Sequence, residues 1–149
     1  IINHHGKVNT NTIQIVDKLE KGSYADLKIA LPDIKLVQVI HVTGESSILE
    51  AIEVSQFVDA ILLDSGNPKL KVKILGGTGK THNWKLSRAI VDSVDIPVYL
   101  AGGINSENVA QAIEEVKPFG IDLCSSVRTK GKLDEIKLKE FFVAINTFL

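Results

Sequence analysis

The sequence predicts a single α/β domain built on a parallel sheet. Short β-branched runs alternate with longer amphipathic stretches, and five such pairs follow one another along the 149 residues. This alternation is typical of successive βα units, whose strands pair in parallel because a helix returns the chain to the same end of the sheet. No linker, low-complexity tract or block of charge divides residues 1–149, so we expect one domain.

The predicted strands are aliphatic runs that each lead into a polar or glycine-containing turn. They cover residues 12–16, 36–42, 60–63, 98–101 and 121–125. Apolar spacing and capping residues predict helices at 24–31, 47–57, 109–116 and 135–148. The second helix is expected to begin with the capping box Ser47-x-x-Glu50, and the third follows the cap-forming Asn105. Asp134 is the expected cap of the last helix.

Composition narrows the expected partners and compartment. A formal net charge of -1 gives no reason to expect nucleic acid or an anionic membrane, so a small-molecule ligand is favoured. The single cysteine cannot form an internal disulfide, and no apolar stretch reaches the roughly 18 residues of a membrane span. His4 and His5 lack further metal ligands nearby, and no metal site is predicted. We therefore expect a cytoplasmic protein and leave a homo-oligomer open.

A carboxylate closes the third predicted strand. Asp64 follows the apolar run 60–63, where burial would desolvate the carboxyl and favour the protonated form that a general acid needs. A second interpretation is a helix cap or a solvated turn carboxylate, because Asp is common in such turns. Parallel α/β proteins carry out chemistry at the carboxyl ends of their strands, so Asp64 is a candidate proton donor.

Three glycine-containing segments also follow predicted strands. The first contains Gly76-Gly77-Thr78 and ends in Gly79-Lys80-Thr81, but a Walker A loop would need glycine at position 74, which is Ile74, so a nucleoside triphosphate site is rejected. The other two lie at 101–105 and 125–132, after consecutive strands. Glycine pairs let backbone N–H groups approach an anion closely, and a following helix adds its positive end. Each segment alone also fits a tight turn, whereas the two together favour phosphate.

Several motifs together resemble one known family. They are LLDS at 62–65, GGTGKTHNW at 76–84, LAGGI at 100–104, ENV at 107–109, PFGIDLCSSVR at 118–128 and GKLD at 131–134. In order and spacing, the chain from residue 12 onward resembles the phosphoribosylanthranilate isomerases. That resemblance implies a (β/α)₈ TIM barrel, of which this chain covers roughly units four to eight. A chain of 149 residues is short for the roughly 250 of a closed barrel, so we expect a longer natural polypeptide.

The resemblance also implies an activity. The family converts N-(5-phosphoribosyl)anthranilate to 1-(2-carboxyphenylamino)-1-deoxyribulose 5-phosphate in tryptophan biosynthesis, an Amadori rearrangement that uses general acid and base catalysis without a cofactor. Asp64 matches the general acid. The family's base is a cysteine in a Lys-x-Cys-Gly-type motif on the first strand, and these 149 residues contain no such motif. The alternative is therefore a non-catalytic phosphosugar-binding homologue, or an assembly partner, that lacks the base.

By the same resemblance, further residues are assigned to the substrate. Those expected to bind substrate or phosphate are Gly76, Gly77, Thr78, Gly102, Gly103, Asp122, Ser125 and Ser126. Asp122 is expected to be buried in its strand and to lie near the anthranilate amine. Ser126 stands where the family commonly has glycine, and its Cβ would obstruct phosphate if that turn required a positive φ.

The remaining polar residues have structural interpretations. Cys124 is expected to be a half-buried packing residue rather than a catalyst, since a small apolar site suits an inert thiol. His41 ends the second predicted strand, where a structural hydrogen bond is favoured over a catalytic role. His82 and Trp84 are placed in a long loop before the fourth predicted strand, where they cover the substrate or pack the loop down.

Overall fold

A computed structural model describes residues 1–65, 83–146 and 148. In chain order these residues form α1 (Ile2–Val8), β1 (Thr12–Ile15), α2 (Tyr24–Ala30), β2 (Lys35–His41), α3 (Ser46–Ser55), β3 (Ala60–Asp64), α4 (Trp84–Ser93), β4 (Val98–Leu100), α5 (Val109–Val116), β5 (Gly120–Ile121), a 3₁₀ turn (Ser125–Val127), β6 (Arg128–Thr129), β7 (Lys132–Leu133) and α6 (Glu135–Ile145).

The first five strands form one parallel sheet in the order β1-β2-β3-β4-β5. Strand order therefore follows chain order without a reversal. A doubly wound sheet reverses its order at a switch point, whereas a βα barrel adds each strand beside the one before it. The predicted α/β class with a parallel sheet is confirmed, and its topology is that of a barrel sector.

The two faces of the sheet pack differently. Leu36, Ile40 and Ile61 alternate along their strands and are buried beneath the helices, together with helix residues such as Ala51 and Ile90. The opposite face carries a smaller cluster of Val39, Leu62 and Ala101, flanked by Val37 and Tyr99. Because successive strand residues point to opposite faces, the residues of β3 are buried on both sides.

The strand predictions are confirmed in position, and the last strand is shorter than predicted. The ladder from β4 to β5 ends with the Asp122 N–H, which donates to the Leu100 carbonyl at 2.9 Å. Beyond it the chain turns into the 3₁₀ segment Ser125–Val127. The strand predicted over 121–125 is therefore correct at Ile121 and too long beyond it, because the chain leaves the sheet as soon as it reaches the carboxyl edge.

The capping box predicted at Ser47 is also wrong. Helix α3 begins at Ser46, and its N-cap residue, Glu45, makes no side-chain cap hydrogen bond. The Ser47 Oγ instead donates to the His41 carbonyl at 3.2 Å and accepts from the Thr43 N–H at 3.2 Å. Ser47 is fully inside the fold and ties the end of β2 to α3, so its hydroxyl is engaged by the neighbouring strand.

Helix α4 was not predicted, since Trp84 was placed in a loop. Asn83 caps this helix, its side chain accepting from the Lys85 N–H at 3.0 Å. Leu86 and Ile90 lie four residues apart on its apolar face, so the sequence did contain the helical signal. None of the helices in the described part of the chain is long and apolar enough to cross a membrane.

Asp59 joins three elements at the amino edge of the sheet. Its carboxylate accepts from Lys28 on α2, from the Lys35 Nζ at 3.1 Å and from the Leu36 N–H at 2.8 Å. Burial would raise the pKa of this carboxyl, but these hydrogen bonds outweigh burial and lower the pKa from 3.8 to about 2. The ionised form is therefore the one that stabilises the fold.

We expect Asp59→Asn to lower the free energy of unfolding by about 1–2 kcal/mol at pH 7. The lowered pKa means that the fold stabilises the ionised carboxylate, and the neutral amide loses this stabilisation. The Asp59 contribution is complete above the ordinary value of 3.8 and is lost as pH falls through about 2. Denaturant unfolding of both proteins at several pH values measures this difference. The stabilities of the wild type and Asp59→Asn should therefore become equal at low pH. Asp33→Asn, at an exposed carboxylate, is the control, and its difference from the wild type should not change with pH in this way.

Candidate active site

The register of the sheet gathers polar side chains along its carboxyl edge. In the β2–β3 ladder Val39 lies opposite Leu62, and two residues further His41 lies opposite Asp64. Side chains two residues apart share a face, so His41 and Asp64 belong to the face that carries Leu62 and Ala101. This face, turned away from the helices, is called the inner face below.

Asp64 is the last residue of β3 and is buried, with 8% of its surface exposed. Its Oδ1 accepts a hydrogen bond from the N–H of Ser65 at 2.7 Å, which holds the carboxyl close to its own backbone. The Asp64 carbonyl accepts from the Val42 N–H at 3.0 Å, so the strand end is anchored to its neighbour. The carboxyl is therefore buried, oriented and placed at the edge where the strands end.

Asp122 follows β5 and does not lie within the strand, which corrects the expectation of a buried strand residue. The residue as a whole is exposed. Partial burial of its carboxyl against the inner face, followed by the charge of Asp64, raises the Asp122 pKa above its ordinary value. The two carboxyl groups are thus electrostatic neighbours, and the edge of the sheet disfavours ionisation of Asp122.

A glycine turn follows β4. Gly102 and Gly103 have φ angles of 84° and 70°, which L side chains rarely adopt. The Asn108 Nδ2 donates to the Gly103 carbonyl at 3.0 Å, and the Asn105 N–H donates to the Asn108 Oδ1 at 2.9 Å. Asn105 in turn accepts from the Glu107 N–H at 2.9 Å. The turn is therefore fastened to the amino end of α5.

The 3₁₀ segment Ser125–Val127 faces this glycine turn across a cavity. The cavity has a volume of about 350 Å³. Its lining includes Asp64, Gly102, Gly103, Asp122, Ser125 and Ser126. Ser126 is not among the described residues with a positive φ, so its Cβ is tolerated. The Ser126 Oγ is buried and lacks a hydrogen-bond partner in the described part of the chain.

One further expectation about a single residue is wrong, and another finds no support in the described part of the chain. Cys124 is exposed rather than half-buried, since it lies on the stretch that leaves the sheet after β5. The ring nitrogens of His41 are buried, and within residues 1–65, 83–146 and 148 neither has a hydrogen-bond partner. The favoured structural hydrogen bond of the His41 ring is therefore absent from this part of the protein, although the His41 backbone carbonyl does accept from Ser47.

The structure brings together most, but not all, of the predicted site. Asp64, Gly102, Gly103, Asp122, Ser125 and Ser126 share one cavity. The predicted residues Gly76, Gly77, Thr78 and His82 lie outside the described residues. Sequence reasoning quoted Asn108 only within the ENV motif and gave it no role, although an Asn three residues after Asn105 is a pattern that could have indicated paired side-chain caps. It also gave no role to Ser65.

An in-order parallel sheet with polar residues at its carboxyl edge defines the class of βα-barrel proteins. Within that class, the sequence profile of the N-(5'phosphoribosyl)anthranilate (PRA) isomerase family matches residues 2–144, and the chain belongs to this family. The N-(5'-phosphoribosyl)anthranilate isomerase of Methanocella arvoryzae is 34% identical over 137 residues, which cover 92% of this chain and 62% of that protein.

Solved structures agree with this assignment. The phosphoribosyl anthranilate isomerase of Thermotoga maritima superposes with a TM-score of 0.76 at 28% identity, covering 99% of this chain and 67% of that one. A phosphoribosyl anthranilate isomerase in complex with reduced 1-(o-carboxyphenylamino)-1-deoxyribulose 5-phosphate superposes with a TM-score of 0.72 at 25% identity, covering 99% of this chain and 65% of that one. The chain thus spans about two thirds or less of the length of these relatives.

The raised pKa of Asp122 predicts that its carboxylate lowers the stability of the fold. A carboxyl whose pKa is higher in the folded state binds more protons when folded, so its ionisation destabilises the fold. We expect Asp122→Asn to unfold at higher denaturant concentration than the wild type near neutral pH. The difference should shrink as pH falls below the ordinary Asp value, where the wild-type carboxyl is protonated in both states.

Asp95→Asn, at an exposed carboxylate in the turn before β4, is the matched control for Asp122→Asn. Denaturant midpoints of the three proteins at pH 3 to 8 provide the measurement. An Asp122→Asn curve that runs parallel to the wild-type curve across this range would show that the carboxyl gains nothing from protonation.

Proposed function

We propose that the chain forms the fourth to eighth βα units of a (β/α)₈ barrel, as one domain over residues 1–149, and that this barrel isomerises N-(5-phosphoribosyl)anthranilate to 1-(2-carboxyphenylamino)-1-deoxyribulose 5-phosphate. Membership of the PRA isomerase family and the in-order parallel sheet support this proposal. The single observation that carries it is that the buried carboxyl of Asp64 shares a cavity with the glycine turn and with Ser125 and Ser126.

In this proposal Asp64 is the general acid. Its carboxyl donates a proton to the furanose ring oxygen, the bond from that oxygen to C1 breaks, and the open chain becomes a protonated Schiff base. A base then removes the C2 proton, giving an enolamine that rearranges to the ketone. The hydrogen bond from the Ser65 N–H to Oδ1 would stabilise the Asp64 carboxylate that remains after the proton has left.

The other end of the cavity suits the substrate phosphate. The glycine turn at Gly102 and Gly103 leads directly to the amino end of α5, and Ser125 and Ser126 begin a second turn on the opposite wall. Backbone N–H groups at such turns attract anions, and the buried Ser126 hydroxyl adds a donor. Gly76, Gly77 and Thr78 complete the proposed substrate-binding set.

Asp122 is proposed to contact the anthranilate amine. It lines the same cavity as Asp64, and partial burial together with the charge of Asp64 raises its pKa above the ordinary value. A carboxyl oxygen accepts hydrogen bonds, so Asp122 can accept one from the N–H of an aromatic amine.

We propose that three further βα units close the barrel and supply the general base. The curated and solved relatives are half as long again, and their additional length accommodates such units. A cysteine at the end of a first strand would be the base, whereas exposed Cys124 is not assigned that role. We further propose a cytoplasmic location and no nucleic-acid or membrane partner, and we leave a homo-oligomer open.

We expect Asp64→Asn, introduced into the complete barrel, to reduce kcat by about 10²–10⁴-fold, because the amide cannot deliver a proton to the ring oxygen. Loss of substrate fluorescence measures the rate. Asp95→Asn, far from the cavity lining, is the matched carboxylate control and should retain the wild-type rate. Wild-type folded barrel without activity above background would reject the isomerase and leave a phosphosugar-binding homologue.

We expect Ser126→Ala to weaken inorganic phosphate binding roughly five-fold, the effect of losing one hydrogen bond. The Ser126 Oγ is buried beside the proposed phosphate position. Because it has no hydrogen-bond partner in the described part of the chain, its removal should not disturb the rest of the fold. Calorimetric titration with phosphate measures the affinity, and Ser106→Ala in the neighbouring turn is the comparison variant. Equal affinities for both variants and the wild type would remove Ser126 from the site.

A further inference from the structure

Gly102 lies in direct contact with the residue that follows Asp64. A Cβ added to Gly102 would stand 2.7 Å from the Ser65 nitrogen, 2.7 Å from its Oγ and 2.8 Å from its Cβ. Non-bonded carbon atoms do not approach other heavy atoms this closely in folded proteins. The glycine turn and the end of β3 can therefore touch only because residue 102 has no side chain.

The contact involves the group that donates a hydrogen bond to the Asp64 carboxyl. The Ser65 N–H that Gly102 packs against is the donor to Asp64 Oδ1, at 2.7 Å. The position of this N–H sets the direction of the carboxyl, because a hydrogen bond weakens steeply when its donor is turned away. A shift of Ser65 would therefore rotate or release the Asp64 side chain.

Neither side of the contact can move away easily. The Ala101 N–H donates to the Leu63 carbonyl at 2.8 Å, so the ladder brings residues 102 and 65 together. On the far side, the Asn108 Nδ2 holds the Gly103 carbonyl at 3.0 Å. A methyl group at position 102 would consequently push on Ser65, since the turn behind it is fastened to α5.

We propose that Gly102 is a positioning residue for Asp64, acting through the Ser65 N–H. The same turn is part of the proposed phosphate site, so binding of an anion there and orientation of the Asp64 carboxyl are linked. Substrate phosphate would then favour the arrangement in which the acid faces the cavity. The catalytic meaning of this role rests on the proposed function, whereas the contact between residues 102 and 65 does not.

A positive φ alone does not account for the need for glycine at position 102, and Gly131 provides a control. Gly131 has a φ of 78°, similar to the 84° of Gly102, but a Cβ at Gly131 would meet no atom within 4 Å. Because the two φ angles are similar, alanine at either position introduces a similar backbone strain. Gly131→Ala therefore carries the strain of a positive φ without a contact to Ser65.

The test uses the complete barrel and the amide resonance of Ser65 in ¹H–¹⁵N correlation spectra. Wild type, Gly102→Ala and Gly131→Ala are compared, with Asp64→Asn as the reference for a changed acceptor. We expect the Ser65 amide proton of Gly102→Ala to move upfield, toward its position in Asp64→Asn, because the hydrogen bond to Oδ1 is displaced. In Gly131→Ala this resonance should coincide with the wild-type resonance.

Folded Gly102→Ala protein with a wild-type Ser65 resonance would overturn the proposal. If this variant does not fold, the double variant Gly102→Ala/Ser65→Gly removes the Oγ and Cβ contacts but keeps the N–H. Its residue 65 amide should still differ from that of the single variant Ser65→Gly, because the nitrogen contact at 2.7 Å remains. Identical residue 65 resonances in these two proteins would equally overturn it.

Titration of the complete wild-type barrel with inorganic phosphate tests the linkage. We expect the Ser65 amide to shift with the same midpoint as the amides of Gly103 and Ile104, whereas the Gly131 amide stays constant. Phosphate that shifts the turn amides and leaves Ser65 unmoved would overturn the linkage. A complete barrel that binds no phosphate would count against the proposed phosphate site, while the comparison of Gly102→Ala with Gly131→Ala still decides the positioning role.

Discussion

Hydrogen bonding between parallel strands in unbroken chain order places every strand's carboxyl end at one edge of the sheet. The rest of the candidate site depends on this constraint. Because His41 pairs with Asp64, and the Asp122 N–H reaches the Leu100 carbonyl, side chains from positions far apart in the chain come into one row. A register shift of one residue would turn the Asp64 carboxyl into the helix-covered core, where it would be buried without a partner.

Carboxylates at the two edges of the sheet have different surroundings. At the amino edge Asp59 is held ionised by two lysines and a backbone N–H, an arrangement that stabilises the junction of α2, β2 and β3. At the carboxyl edge the pKa of Asp122 is raised by partial burial and by Asp64. The carboxylate at the amino edge is therefore fully paired, whereas the carboxyl at the edge proposed to bind substrate is less well satisfied.

Much of this arrangement could be predicted from the sequence. Asp64 at the end of an apolar run, the glycine pair after β4 and the cap at Asp134 all follow local rules, and all lie where those rules place them. The errors share a cause. Ser47 was expected to cap its own helix but bonds β2, and Cys124 was expected to pack but lies on the chain as it leaves the sheet. In both cases the partner is set by a distant element, which local pattern does not reveal.

The sequence by itself determined the class of fold, the order of the βα units and the residue types available at each strand end, because periodicity and capping act over a few neighbouring residues. Only the tertiary structure decided which of those residues meet. The contact of Gly102 with Ser65 joins positions 37 residues apart, and the same glycine would read as an ordinary turn residue without it. Close approach of two backbones depends on the registers of two strands at once, and no single segment of sequence encodes both.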